Sequence, residues 1–191
     1  LAEKLTRSYG ALDRKARTKP DGKRMAELIS RLADRLGSGA AATIRARLAG
    51  LEVAEYRVVA LREALAFDTD VLVLQAAQPT EITFINQDTM PHNLVVTEPG
   101  AMERVGVAAD QMALLPASEG GQYVPDMPEV LFYSKMVGSG EAAKLSFVAP
   151  AEPGVYPLLC TYPGHWLKMF AAIVVVPDRK AYLAANPTLP S

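Results

Sequence analysis

The sequence predicts a mainly β protein, an antiparallel sandwich with a helical insertion and an N-terminal helical extension. From residue 52 onward, short runs rich in β-branched and aromatic residues recur between prolines and glycines, which is typical of a sandwich or barrel. Residues 1–50 contain no such run. We therefore predict a helical extension or linker over 1–51, a β domain over 52–177 and a C-terminal tail over 178–191.

Two amphipathic helices are predicted within the extension. The first spans 22–36, because apolar residues recur there at helical spacing, with Asp21 as its expected N-cap and Gly37 as its stop. The second lies between Ser38 and Gly50. We expect both helices to pack their apolar faces on a neighbour.

Seven short strands are predicted in the β domain. They are "EYRVVAL", "DVLVLQA", "EITFINQ", "HNLVVTE", "KLSFVAP", "GVYPLLC" and "AAIVVVP". Residues 101–129 break this rhythm and are predicted to form a short helix and loop inserted between strands.

Composition excludes several classes of protein. The net charge of −1 gives no global attraction to nucleic acid or to an anionic membrane. No apolar run approaches the roughly 20 residues that span a bilayer, and one cysteine cannot form an internal disulfide. The chain begins at Leu1 without a signal-peptide pattern, so we expect a processed or excised piece of a longer protein.

Potential metal ligands are few, and most of them lie together. The stretch "CTYPGHWLKM", residues 160–169, holds the only cysteine, the only tryptophan and one of the two histidines. Cys160, His165 and Met169 follow the spacing C-x4-H-x3-M, so one tight loop presents a thiolate, an imidazole and a thioether to one point. His92, in "MPHNLVV", begins another strand and in a sandwich can reach the same end of the fold.

This donor set matches the chemistry of a trigonal blue-copper site. Two imidazoles and one thiolate bind in a plane, and a methionine adds a weak axial contact. Thiolate is soft enough for Cu(I) while also binding Cu(II), and imidazole accepts both oxidation states. We therefore predict one type 1 copper ion per chain, with His92, Cys160 and His165 as equatorial ligands and Met169 as the axial ligand.

Other chemistries fit the same residues less well. Nitrite reductases and multicopper oxidases need further histidines, and a binuclear copper site needs a second cysteine. Structural zinc prefers four strong ligands, and nothing marks the oxyanion hole that a hydrolase using Cys160 would need. A copper store or chaperone uses the same ligands and stays open as an alternative.

These segments resemble the azurin and auracyanin type of cupredoxin. "CTYPGHWLKM" resembles the copper loop, "MPHNLVV" the upstream histidine segment, and "YSKMVGSGE" (133–141) the strand and turn before the last hairpin. The resemblance covers about residues 55–177 and implies a Greek-key β-sandwich with 101–129 as a helical flap. Azurins carry a disulfide that this chain cannot form. Residues 1–50 weakly resemble a helical linker of large secreted bacterial redox proteins with c-type haem domains.

The resemblance also implies roles around the copper. The carbonyl of Pro91 takes the place of a second, very weak axial oxygen. Backbone N–H groups of Asn93 and Tyr162 are expected to point at the sulfur of Cys160 and so raise the reduction potential. The side chains of Asn93 and Thr161 either tie the two ligand segments together or are ordinary turn residues.

The predicted function is electron transfer by a domain that is not an enzyme, because protein ligands fill every copper position. The expected partners are redox proteins, such as a c-type cytochrome or a haem domain of the same polypeptide, in the periplasm or outside the cell. Electrons are expected to pass through the edge of His165, framed by an apolar patch of Trp166 and Leu167. The alternative for Trp166 is a core position, since tryptophan is usually well buried.

Overall fold

The computed structural model describes residues 1–13, 16–17, 19–115 and 121–189. The chain divides into two compact units. The first comprises Leu1–Ala54 and Ala77–Pro79, and the second comprises Glu55–Ala76 and Thr80–Ser191.

Among the described residues, the core of the first unit is formed by the helices α1 (Ala2–Gly10), α2 (Pro20–Ala33) and α3 (Ser38–Ala49). Their shared core is formed by the buried side chains of Ala2, Tyr9, Ile29, Ala33, Ile44 and Leu48. The two predicted helices are present, whereas α1 was not predicted. Its nine residues follow no helix-start signal, and Leu1 caps it without a side-chain hydrogen bond.

The ends of α2 differ from the prediction. Asp21 is not the N-cap, because Pro20 occupies the first turn, where its fixed φ and missing N–H are best tolerated. The carboxylate of Asp21 instead lies in the first turn, near the positive end of the helix dipole. Gly37 is not the stop either, since the helix ends at Ala33 and Gly37 caps the start of α3.

The second unit contains two sheets. Apart from the first residues of β1 and β3, which belong to the first unit, its strands are β1 (Ala54–Ala60), β2 (Val71–Gln75), β3 (Pro79–Asn86), β4 (Val95–Thr97), β5 (Val130–Tyr133), β6 (Ala142–Val148), β7 (Gly154–Leu159) and β8 (Phe170–Val176). One sheet has the order β1-β3-β6 and the other the order β2-β8-β7-β4-β5. Strand β2 pairs in parallel with β8, so the predicted all-antiparallel arrangement is wrong at that position. Strand β5 lies outside the seven strands predicted from the pattern, because its four residues are too few to show an alternation. It shares only Tyr133 with the strand and turn that the resemblance places over 133–141.

The core of this unit draws on both sheets, which makes it a sandwich. Val58 and Phe84 come from the three-stranded sheet, and Leu74 and Ile173 from the five-stranded one, and all four are buried in one cluster. Strand β3 alternates between buried and half-buried positions along its whole length. A closely packed core of this kind resists deformation, so the sandwich is a rigid support for the loops at its end.

The described residues of this unit also contain two α-helices and a 3-10 helix. Helix α4 (Met102–Met112) lies within the insertion predicted over 101–129, and a 3-10 helix (His165–Leu167) lies between β7 and β8. Helix α5 (Arg179–Ala185) lies in the predicted tail, where the carboxylate of Asp178 caps it by accepting from Ala181 N–H. Among the described residues, no helix combines the length and apolar character needed to cross a membrane.

Candidate metal centre

The ligand loop, residues 160–169, connects β7 to β8. The last strand pair is Leu159 with Phe170, and the N–H of Cys160 then donates to the carbonyl of Met169 at 3.0 Å. The two ends of the loop, each a predicted ligand, are therefore held together by the hairpin. The rigid sheet sets their separation.

A tight turn in the middle of the ligand loop places His165. Its N–H donates to the carbonyl of Tyr162 at 2.9 Å, and its own carbonyl accepts from Met169 N–H at 2.8 Å. The turn requires a φ of +79° at residue 164, where Gly164 has no Cβ to oppose it. The turn at Gly164 and the 3-10 helix after it thus direct the imidazole of His165 back toward Cys160.

His92 reaches the centre from a second segment. Its backbone exchanges two hydrogen bonds with Val137, at 3.1 and 2.8 Å. The side chain of Asn93 then joins this segment to the ligand loop. Its Oδ1 accepts from Thr161 N–H at 2.8 Å, and its Nδ2 donates to Thr161 Oγ1 at 2.9 Å. Of the two roles open for Asn93 and Thr161, the structure therefore shows the tie between ligand segments.

Three buried donor atoms face one another in a triangle. Sγ of Cys160 lies 3.5 Å from Nδ1 of His92 and 3.7 Å from Nδ1 of His165, and the two nitrogens are 3.2 Å apart. A triangle with these sides has its centre about 2.0 Å from each corner, close to ordinary metal–nitrogen and metal–sulfur bond lengths. The three residues form the one group of metal-ligating side chains found among the described residues. They fit a single trigonal metal ion.

Burial keeps the Cys160 thiol and the His165 imidazole neutral when no metal is bound. It raises the pKa of the Cys160 thiol to about 11, although backbone N–H groups of Asn93 and Tyr162 donate to the sulfur and act in the opposite direction. Burial, and then the neighbouring His92, lowers the pKa of His165 to about 4. A metal cation therefore has to displace the thiol proton, while the imidazole of His165 is already deprotonated at neutral pH.

Sequence reasoning missed Asp88, whose buried carboxylate lies behind His92. Its Oδ1 accepts from the N–H of Thr89 at 2.7 Å and from the N–H of Glu63 at 3.0 Å. These bonds, with that of Glu63 the largest influence, lower the pKa of Asp88 to about 2. No motif signals this role, because Glu63 is 25 residues upstream and its positive φ of 55° becomes visible only in the structure.

The remaining predicted residues take different positions. Met169 is fully buried in the same apolar cluster as Cys160, and its role as axial ligand stays a prediction. The weak axial contact of the Pro91 carbonyl also stays a prediction. Trp166 is 8% exposed and packs in an apolar cluster, which is the core position given as its alternative. Leu167, in contrast, is 61% exposed.

Comparison with known sequences identifies the same region of the chain. The family model for copper binding proteins of the plastocyanin/azurin family matches residues 54–176. Auracyanin-B of Chloroflexus aurantiacus is 34% identical over 123 residues, which are 63% of this chain and 51% of that protein. Auracyanin-A of the same organism is 32% identical over 115 residues, 59% of this chain and 68% of that protein. The match thus spans about half the length of auracyanin-B.

An outer membrane protein is a further relative. Outer membrane protein H.8 of Neisseria meningitidis serogroup B is 31% identical over 119 residues, which are 59% of this chain and 62% of that protein.

Solved structures confirm the cupredoxin sandwich. Auracyanin A of Chloroflexus aurantiacus, described as a "blue" copper protein, aligns over 65% of this chain and 100% of its own, with a TM-score of 0.59 and 27% identity. Dithionite-reduced auracyanin of Roseiflexus castenholzii aligns over 64% and 97%, with a TM-score of 0.56 and 29% identity. An azurin of Methylomonas sp. strain J, at 23% identity and a TM-score of 0.54, shares the fold. With copper as its cofactor at the His92, Cys160 and His165 cluster, this chain belongs to the plastocyanin/azurin family of copper binding proteins.

Proposed function

We propose that this chain is a mononuclear type 1 copper electron-transfer domain that passes single electrons between redox partners and catalyses no reaction of its own. The observation that carries the proposal is the triangle of Nδ1, Nδ1 and Sγ atoms, with sides between 3.2 and 3.7 Å. The bound copper supplies a one-electron couple between Cu(I) and Cu(II). Every other requirement for electron transfer falls on the protein.

The frame has to keep one geometry in both oxidation states. The hairpin bond between Cys160 and Met169 and the tie between Asn93 and Thr161 hold the ligand segments from both sides. Because these bonds do not involve the metal, they persist whichever charge the copper carries. Little rearrangement then accompanies each electron, which is the property that separates a carrier from a catalyst.

The surroundings of the sulfur adjust the reduction potential. Backbone N–H groups of Asn93 and Tyr162 donate to Cys160 and withdraw electron density from the thiolate. All three donors are buried, and Met169, if it is the axial ligand, fills the fourth position, so none is left open for a substrate. We infer from this closed donor set that the domain is not an enzyme.

The route for electrons runs through His165. His92 is fully buried, whereas His165 keeps 6% of its surface exposed and lies beside the exposed Leu167. We propose redox proteins as partners, such as a c-type cytochrome or a haem domain of the same polypeptide. We also propose a periplasmic or extracellular location, which the similarity to a protein named outer membrane protein H.8 supports.

The decisive experiment is spectroscopic. Copper(II)-loaded protein should absorb intensely in the visible range through thiolate-to-copper charge transfer and show narrow copper hyperfine splitting in electron paramagnetic resonance. Cys160→Ala should abolish the colour, with circular dichroism as the check that the sandwich stays folded. A colourless copper protein, or colour that survives this substitution, would sink the assignment.

Voltammetry distinguishes a carrier from a copper store. A carrier should cycle reversibly and keep copper bound in both oxidation states. Release of the metal on reduction or oxidation would favour storage instead.

A further inference from the structure

One carboxylate of helix α4 holds the ligand loop on both sides of His165. Oδ1 of Asp110 accepts from the backbone N–H of Gly164 at 2.7 Å, and its Oδ2 accepts from the indole N–H of Trp166 at 2.9 Å. Gly164 and Trp166 are the two chain neighbours of His165. Hydrogen bonds to an ionised group are short and strong, so these two contacts restrict the loop at its midpoint.

Gly106, one turn before Asp110 on the same helix, makes room for the indole. A Cβ at residue 106 would lie 2.2 Å from Cδ2 of Trp166, which no real contact permits. The indole therefore lies directly on bare helix backbone. It belongs to an apolar cluster of the buried residues Val95, Ala101, Val105, Leu159 and Trp166. Glycine is unfavourable inside a helix, and the close approach of Trp166 accounts for it here.

We propose that Asp110 and Gly106 are positioning residues, which clamp Trp166 and Gly164 to helix α4 and so hold His165 at its ligand position before any metal binds. The helical insertion is then part of the metal centre's frame, although no residue of it is a ligand. This inference rests on the proposed function, because a fixed imidazole matters most to a site that changes charge without changing shape.

The rest of the ligand loop explains why a clamp is needed. Its ends are joined by the hairpin bond of Cys160 and Met169, whereas the backbone hydrogen bonds within its middle are those of a turn and a 3-10 helix of three residues. Such short elements open readily when nothing packs on them. The contacts from helix α4 stabilise this middle part of the ligand loop from outside the loop.

The experiment uses the one tryptophan of the chain as its reporter. Asp110→Asn keeps one amide oxygen, which can accept from only one of the two donors, the N–H of Gly164 or the indole N–H of Trp166. Its NH₂ group then faces the other donor. Gly106→Ala displaces the ring by steric overlap. The matched controls are Glu103→Gln, an exposed acidic residue of the same helix, and Gly39→Ala in α3, where nothing lies within 4 Å of the added Cβ.

The first measurement is made on metal-free protein. Hydrogen exchange of the Trp166 indole N–H should become about tenfold faster or more in Asp110→Asn, which corresponds to the loss of a hydrogen bond to a charged group. Trp166 emission should shift to longer wavelength in both Asp110→Asn and Gly106→Ala. Amides of β7 and β8, and both controls, should stay as in the wild type. An unchanged exchange rate of the indole N–H would overturn the clamp. An equal increase in the exchange rates of the indole and of the strand amides would also overturn it, because such an increase reports only a lower global stability.

The second measurement is made on copper-loaded protein. If the clamp positions His165, both variants should change the charge-transfer spectrum and slow electron self-exchange. A freed indole with an unchanged copper spectrum would overturn the positioning role. A colourless wild-type copper protein would instead sink the proposed function, while the exchange rates of the metal-free protein still decide whether the clamp exists.

Discussion

Nε2 of His92 lies 2.9 Å from Oδ2 of Asp88, and both side chains are buried. A carboxylate can only accept, so this contact places the ring proton on Nε2 and leaves Nδ1 free to face Cys160 and His165. With a metal bound at Nδ1, this pair would form a carboxylate–histidine–metal triad, in which the carboxylate orients the ring and makes the imidazole a stronger donor. Asp88 is in turn held by the N–H groups of Glu63 and Thr89.

Asp88→Asn should raise the reduction potential. Loss of the negative charge weakens the binding of Cu(II) more than that of Cu(I), and each tenfold relative loss corresponds to about 59 mV for one electron. Loss of a hydrogen-bond partner behind a metal-binding histidine typically costs about 10–100-fold in metal affinity. Voltammetry of the copper protein measures the shift. The control is Asp126→Asn, which removes the same formal charge from an exposed position. Equal potentials in the two variants would show that Asp88 only packs behind the ring.

Met169→Leu should leave copper bound and raise the reduction potential. The thioether is a weak donor, so the three equatorial ligands suffice for binding, while removing a donor disfavours Cu(II). Voltammetry and a copper titration measure the two effects. Met112→Leu, at the end of helix α4, serves as the control for the change of side chain. If Met169→Leu abolishes copper binding, the residue is an anchor and its axial assignment is wrong.

Metal affinity should rise with pH because of Cys160. The thiol has a pKa of about 11 in the metal-free protein, whereas the bound form is the thiolate. Below that value each metal ion releases the thiol proton, so affinity for the redox-inert probe Zn²⁺ should increase about tenfold per pH unit between about pH 7 and 9. His165, with its pKa of about 4, adds no proton in this range. Calorimetry in buffers of different ionisation enthalpy counts the protons.

The serine variant of the same position is the control for this pH dependence. Cys160→Ser removes the thiol proton, so its contribution to the pH slope should vanish. A slope that persists in Cys160→Ser would trace the proton to another group.

Leu167→Glu should slow electron self-exchange and leave the reduction potential unchanged. Leu167 is the exposed apolar neighbour of His165, and a charge there opposes the close approach of a second copy. Val155→Glu is the matched control, because Val155 is 57% exposed and lies at the end of β7 away from Cys160. Nuclear magnetic resonance line broadening in mixtures of Cu(I) and Cu(II) protein gives the rates. An equal effect of both substitutions would mean that net charge, and not a patch at His165, governs the encounter.

The sequence by itself determined the ligand chemistry of this protein. Only one cysteine and two histidines exist, and the C-x4-H-x3-M spacing places three donors in one loop, so few other sites could be assembled. Alternation of buried positions, as in β3, and the turn residues between strands were enough to predict a sandwich, because they are local properties of the chain.

The tertiary structure decided everything that depends on residues distant in sequence. Asp88 contacts Glu63, Asp110 contacts Gly164, and Trp166 lies on Gly106, and each contact joins segments at least 25 residues apart. Trp166 shows the limit most plainly, because an apolar ring beside a ligand suits a docking patch and a core equally well by its chemistry alone. Trp166 is buried because Gly106 has no Cβ and because the carboxylate of Asp110 accepts its indole N–H. Both residues lie on a helix about 60 residues upstream, so the sequence around Trp166 carries no information about them.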